Sequence, residues 1–323
     1  MDKYPSYIRD LPSSRYFSNL KVVKSGSLLE IYQFGRDINL GRTLRRNKTE
    51  EELEMAKKFP KPKASPEEIL KASARRSKRM IKRLIRSNSF HWFHSNGKPY
   101  LPITLTLTFA ENITDLKKAN YEFTKFIRRL NYETNEIEGR DLKQSNLKYL
   151  AVYELQARGA IHYHMIFFNL PYIKDIYNCL RDIWGQGRIM VGGKDKNFTK
   201  IKDQKKLNKI IDYFTKYIQK SVFENHFPRQ KKYITSKQLL KPLENSSGEV
   251  VSLIQERMPT ESLVYKWDGE SEYNQSHIKD TIGKPTNFMR WFNYYQHDLT
   301  DYPDLDDYIT KLLLGTSLDY VDF

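Results

Sequence analysis

Two β-strand patterns joined by a short loop are the feature that most constrains the fold of this chain. Residues 147–155 are rich in β-branched and aromatic side chains, and residues 161–168 repeat that character. Between them, residues 157–159 suit a three-residue hairpin loop in which Gly159 takes the left-handed conformation. The sequence therefore predicts an antiparallel hairpin with a defined register.

That register brings two histidines and a carboxylate together. His162 and His164 are two residues apart, so in a strand their imidazoles share one face while Tyr163 points to the other. The predicted pairing sets Glu154 opposite His162, and opposed Cβ atoms lie about 5 Å apart. Glu154, His162 and His164 thus form a candidate site for Mg²⁺ or Mn²⁺. The alternative is a hydrogen-bonded histidine pair beside an unrelated glutamate.

A second group of chemical residues lies on a predicted helix over residues 204–222. Tyr213 and Tyr217 are four residues apart and share a helix face, and Lys216 and Lys220 each follow a tyrosine by three residues. A nearby cation favours the phenolate and makes a tyrosine a better nucleophile. The alternative is an ordinary amphipathic helix whose tyrosines face the core.

The order of these motifs resembles that of the HUH endonucleases, and especially the two-tyrosine initiators of rolling-circle replication in small single-stranded DNA phages and plasmids. The resemblance runs from about residue 75 to 242. It rests on the Thr-rich stretch 104–109, the hairpin motif 153–164, the stretch 184–191, the paired Tyr-x-x-Lys motifs and the stretch 233–242.

The resemblance implies an α+β, ferredoxin-like antiparallel sheet with packed helices, which the predicted element order also favours. It further implies a metal-dependent DNA endonuclease and strand transferase. A tyrosine would nick single-stranded origin DNA, form a 5′-phosphotyrosine link and free a 3′-hydroxyl for replication. Because the chain has no phosphate-binding loop of the Walker A type, we expect a separate helicase and DNA polymerase, both from the host.

A basic helix is predicted to begin at Ser65, where a serine cap precedes proline and glutamate, and to run to about residue 86. The net charge of +16 favours a polyanionic partner. We expect phosphate contacts from this helix and from the hairpin loop; the candidates are Arg75, Arg76, Lys78, Arg79, Lys82, Arg83, Arg86 and Arg158. The alternative for the helix is a solvated charged face.

Three regions are expected along the chain. Residues 1–65 hold N-terminal strands and a charged linker, residues 66–242 form the endonuclease domain, and residues 243–323 form a C-terminal region of unassigned function. Within the last, residues 287–295 are aromatic and suit a small hydrophobic subdomain or a base-stacking surface. The acidic tail from Asp298 is a candidate autoinhibitory or partner-binding segment.

The remaining features narrow the class of protein. The start has no signal-peptide pattern and no apolar run long enough for a membrane span, and the single cysteine, Cys179, suits a reducing compartment. We therefore expect a protein of the bacterial host cytoplasm with no membrane partner. Three alternatives stay open: an HUH transposase or relaxase, a non-enzymatic basic DNA-binding protein, and an RNA-binding module on the same fold.

Overall fold

The computed structural model describes residues 17–39, 50–58, 65–192, 201–223, 233–279 and 285–315. The chain divides into two compact units, one of residues 64–241 and one that joins residues 1–63 to residues 242–323. The N-terminal and C-terminal regions, which the sequence analysis treats separately, therefore belong to one unit.

The described strands are β1 (Phe17–Ser25), β2 (Leu28–Asn39), β3 (Ile103–Thr108), β4 (Tyr149–Leu155), β5 (Ile161–Phe167), β6 (Ile189–Val191), β7 (Tyr233–Thr235), β8 (Leu243–Asn245), β9 (Leu263–Lys279) and β10 (Pro285–Asp298). The described α-helices are α1 (Glu50–Lys58), α2 (Pro66–Asn88), α3 (Leu116–Ile137), α4 (Ile176–Trp184), α5 (Gln204–Phe223), α6 (Gly248–Glu256) and α7 (Pro303–Leu314).

The unit of residues 64–241 is built on an antiparallel sheet with the strand order β6-β3-β5-β4-β7. Along the chain, β3, α3, β4, β5, α4 and β6 follow the β-α-β-β-α-β sequence of the ferredoxin-like fold. Their spatial order, with the first strand between the fourth and the third, belongs to the same plan. The predicted α+β, ferredoxin-like architecture is confirmed, and β7 extends the sheet beside β4.

Strand alternation gives the two faces of this sheet different covers. Tyr163 and Met165 on β5 point to one face and pack in a core with residues of α3 and α4. Ile166 and Phe168 point to the other face and pack with residues of α2 and α5. The even-numbered residues of β5, which include both histidines, therefore face the layer formed by α2 and α5.

The helix boundaries follow local signals. At the start of α2, Ser65 Oγ accepts a hydrogen bond from the Glu68 backbone N–H at 3.2 Å, and Glu68 Oε2 accepts one from the Ser65 N–H at 2.7 Å. Helix α4 begins at Ile176, later than the predicted 172, because Asp175 holds a left-handed φ of 52° that a helix cannot include.

The charged stretch 42–65, predicted as a linker, contains helix α1. Its sequence places glutamates at the start and Lys57 and Lys58 in the last turn, and both charges match the helix dipole. This charge order is a helix signal that the linker interpretation overlooks.

The second unit has its own antiparallel sheet, in the order β8-β1-β2-β10-β9. Helices α6 and α7 contribute Val251, Ile254, Ile309 and Leu313 to a core with residues of β1 and β2. The aromatic stretch 287–295 lies within β10, so it is part of this sheet rather than a separate subdomain. Within the described residues, no helix is long and apolar enough to cross a membrane.

Candidate metal and nucleophile site

The β4–β5 hairpin has the predicted register. Glu154 pairs with His162 across the two strands. The Gln156 N–H donates to the Ala160 carbonyl at 2.9 Å, and Gly159 adopts a φ of 82°. A short loop and a glycine at the left-handed position fix the pairing locally.

Three potential ligands converge on this hairpin. One ligand atom each from Glu154, His162 and His164 lies within 4.8 Å of the other two, the only such group of three or more in the described part of the chain. His164 Nε2 is 3.2 Å from Glu154 Oε1. Two imidazoles and a carboxylate on one sheet face form a mixed nitrogen and oxygen donor set of the kind that divalent cations accept.

Two threonines on the neighbouring strand contact the imidazoles from behind. Thr108 Oγ1 is 3.0 Å from His162 Nδ1, and Thr106 Oγ1 is 3.3 Å from His164 Nδ1. Because β3 pairs with β5 so that Thr106 is opposite His164 and Thr108 opposite His162, these contacts follow from strand register. They leave Nε2 of His162 directed away from β3.

The electrostatics of the site keep His162 neutral. Burial lowers the pKa of His162 to about 4, His164 lowers it further, and the Glu154 carboxylate only partly opposes these effects. At neutral pH the ring therefore has an unprotonated nitrogen, which a metal ligand requires. The donor set fits a bound divalent ion on chemical grounds.

Helix α5 brings a tyrosine to this group. The Tyr213 hydroxyl is 3.0 Å from His164 Nδ1, and the Tyr213 ring meets the His164 ring edge-on. Ile211 and Phe214 are buried on the same helix in the core beneath the sheet. Tyr213 itself is 40% exposed, so its hydroxyl touches the histidine while its ring is open to a ligand from solvent.

The other residues of the predicted nucleophile group are placed less fully. Lys216 is exposed one turn after Tyr213. Tyr217 and Lys220 fall within α5, but their side chains lie outside the described residues.

The predicted basic face of α2 is divided between solvent and helix packing. Arg75, Arg76 and Arg79 are exposed, and Lys78 is half-buried. Arg83 departs from the expected surface because its side chain is only 7% exposed. The exposed basic residues are therefore concentrated in the N-terminal half of α2.

Two cations nearer the end of α2 contact α5. Lys82 Nζ is 3.5 Å from Asp212 Oδ1, beside Tyr213 in sequence, and Arg86 Nη2 donates to Asn208 Oδ1 at 3.4 Å. These contacts set the basic helix against the helix that carries the tyrosine.

Arg158 has a different environment from the one expected. Its guanidinium donates to the backbone carbonyl oxygens of Phe109 and Ala110 just beyond β3. Gly187 lies over the same segment, where an added Cβ would come within 2.4 Å of Ala110 N and 2.5 Å of the Thr108 carbonyl oxygen. Arg158 therefore joins the hairpin loop to β3, and its charge is directed to these carbonyls.

Sequence reasoning missed the roles of Thr106, Thr108 and Arg158. The signal for the threonines was available, because alternate threonines on one strand and alternate histidines on another must face each other when the strands pair in phase. Strand order, however, decides whether the two strands are neighbours, and it is not a local property.

Comparison with known proteins bears on the same segment. Neither a curated protein nor a solved structure matches this chain. A family model does match over residues 102–222, a range that contains β3, the hairpin and nearly all of α5. The segment that carries the candidate site thus matches the family of replication-associated proteins of the ORF2 type.

Proposed function

We propose that this protein initiates rolling-circle replication by nicking single-stranded DNA at an origin, with Tyr213 as the described nucleophile, and later rejoins the strand. The observation that supports this most is the 3.0 Å contact between the Tyr213 hydroxyl and His164, a member of the Glu154–His162–His164 group. A candidate nucleophile and a candidate metal site are thereby adjacent, as phosphoryl transfer requires.

The ligands in this proposal are Glu154, His162 and His164, and the ion is Mg²⁺ or Mn²⁺. When bound, such an ion supplies positive charge that polarises a non-bridging phosphate oxygen and orients the scissile group. A ligating nitrogen cannot carry a proton. With Nε2 of His164 as the ligand atom, Nδ1 therefore holds the ring proton and donates it toward the Tyr213 oxygen.

That hydrogen bond favours the phenolate form of Tyr213, and the exposed ring lets the hydroxyl proton pass to water. The phenolate oxygen then forms a bond to phosphorus while the bond from phosphorus to the 3′-oxygen breaks. The leaving 3′-oxygen takes a proton from water. The products are a 5′-phosphotyrosine and a free 3′-hydroxyl, and the retained phosphodiester bond energy permits later rejoining by the reverse step.

Lys216, one turn along α5, is proposed to stabilise negative charge on the attacked phosphate, and Tyr217 with Lys220 is proposed as the second nucleophile pair. The strand itself is proposed to lie along α2. The excess of basic over acidic residues supports this path, because it is concentrated in residues 64–241, whereas the rest of the chain carries slightly more acidic than basic residues. A separate helicase and polymerase, supplied in the cytoplasm of a bacterial host, would complete the reaction.

The test is the formation of a covalent adduct. The protein is incubated with labelled single-stranded DNA from its own replicon, with Mn²⁺ or with chelator, and separated on a denaturing gel. We expect a metal-dependent adduct that is lost in the Tyr213→Phe/Tyr217→Phe variant. Tyr177→Phe is the matched control, because Tyr177 is also an exposed helical tyrosine but lies on α4, against the opposite sheet face.

The single variants at Tyr213 and Tyr217 rank the two nucleophiles. Binding of the origin strand without any adduct would refute the nickase proposal and favour a non-enzymatic DNA-binding protein. An adduct that persists in the chelator arm would refute the role of the metal.

A further inference from the structure

We propose that Thr108 is a positioning residue that fixes the tautomer of His162 and so prepares its Nε2 to bind a metal ion, with Thr106 in a weaker parallel role at His164. This inference rests on the proposed metal site and deepens it. It assigns a chemical task to the Thr-rich strand β3, whose side chains make no contribution to the ligand set itself.

The pairing of β3 with β5 explains why the two hydroxyls are in place. Thr106 and Thr108 are the direct cross-strand partners of His164 and His162, so the hydroxyls and imidazoles share one face of the sheet. The Oγ1 to Nδ1 distances of 3.3 Å and 3.0 Å lie in or near the hydrogen-bonding range. Both contacts reach Nδ1, the nitrogen on the side of the ring away from its Nε2.

An imidazole ligand must leave its ligating nitrogen without a proton. A hydroxyl oxygen that accepts a hydrogen bond from Nδ1–H holds the proton there and fixes the ring orientation at the same time. Free imidazole side chains in water prefer to carry the proton on Nε2. A partner on Nδ1 is therefore needed to reverse that preference in the absence of metal.

The two threonines are not equivalent. His164 has two further contacts, with Glu154 on Nε2 and with Tyr213 on Nδ1. His162, by contrast, has its described hydrogen bond to Thr108. Loss of the Thr108 hydroxyl is thus expected to release His162, whereas loss of the Thr106 hydroxyl leaves His164 held by its other partners.

The backbone around Thr108 is itself held from three directions. Its N–H donates to the Arg188 carbonyl at 2.9 Å, and its carbonyl oxygen accepts from Trp184 Nε1 at 3.2 Å. Arg158 binds the next two carbonyls, of Phe109 and Ala110. A hydroxyl on so constrained a strand is preorganised, which is what an outer partner of a metal ligand requires.

The experiment compares three variants in the full chain. Thr108→Val removes the hydroxyl and keeps the shape. Thr108→Ser keeps the hydroxyl. Thr104→Val is the matched control, because Thr104 is on the same face of β3 but pairs with Ile166 and not with a histidine.

The first measurement is the ring ¹⁵N chemical shift of His162 by NMR in metal-free protein at pH 7.5. We expect mainly the Nδ1–H form in wild type, Thr108→Ser and Thr104→Val, and a shift toward the Nε2–H form in Thr108→Val. The same tautomer balance in Thr108→Val as in Thr104→Val would overturn the proposal.

The second measurement is Mn²⁺ affinity by isothermal titration. Loss of an outer partner typically weakens metal binding by about 10- to 100-fold, and we expect that range for Thr108→Val and less than about 3-fold for Thr108→Ser. Equal weakening in both Thr108 variants would overturn the role of the hydroxyl. If wild type binds no Mn²⁺, the metal site of the proposed function fails, while the ¹⁵N shifts still decide the role of Thr108.

Discussion

The exposed arginines in the first half of α2 give a quantitative test of where the DNA strand lies. Arg75, Arg76 and Arg79 are exposed, and we predict that replacing all three with Gln removes three phosphate contacts. Each contact with a single strand contributes about 0.7 to the slope of log affinity against log salt. The slope should therefore fall by about 2. Over a fourfold rise in salt, wild type should lose roughly 18-fold more affinity than the variant does.

The assay is fluorescence anisotropy with a labelled single strand across a salt series. A charge-matched control replaces Lys117, Arg128 and Arg129 on α3, which are also exposed but lie on the helix packed against the opposite sheet face. The control should keep nearly the wild-type slope. If both triple variants lower the slope equally, the binding is a general effect of net charge and the proposed path along α2 is refuted.

Three further predictions follow from single features. Gly187→Ala should destabilise the protein by about 3 kcal/mol or more in urea unfolding, because the new Cβ meets backbone atoms and the φ of 145° is strained for alanine; a loss below about 1 kcal/mol would contradict this. Burial lowers the pKa of both His162 and His297, so unfolding takes up protons below the ordinary pKa of 6.5; stability should be full above that pH and decline as the pH falls from 6.5 toward 4, and a urea midpoint that rises over this range would contradict it. Saturating Mn²⁺ at 100 times its dissociation constant should stabilise the fold by about 2.7 kcal/mol in thermal or urea unfolding, and Glu154→Ala should lose most of that effect while an unchanged response would argue against Glu154 as a ligand.

The parts of the site that sequence could predict are those fixed by local geometry. Glu154, His162 and the turn at Gly159 lie in one hairpin, where the loop length and a single glycine set the register. The capping sequence at Ser65 likewise determines the start of α2 through contacts three residues apart. In both places the residues that decide the structure are neighbours in the chain.

The features that escaped prediction depend on distant contacts. Whether Arg158 meets DNA or the carbonyls of Phe109 and Ala110 depends on where the end of β3 lies, 48 residues or more earlier in the chain. The joining of both termini in one sheet depends on the pairing of β2 with β10, as at Phe34 and Phe292, for which no local pattern exists. Arg83 illustrates the same limit, because burial of a charged helix residue depends on what packs over it.

The two halves of the proposed chemistry come from parts of the chain with different folding requirements. Glu154 and His164 are ten residues apart on one hairpin, whereas Tyr213 comes 49 residues after His164 and depends on the docking of α5 through Phe214. A change that loosens α5 would leave ion binding intact and remove the nucleophile from it. Conversely, the hairpin can keep its geometry while the helix beside it varies, so one ion-binding module can serve helices that carry one tyrosine or two.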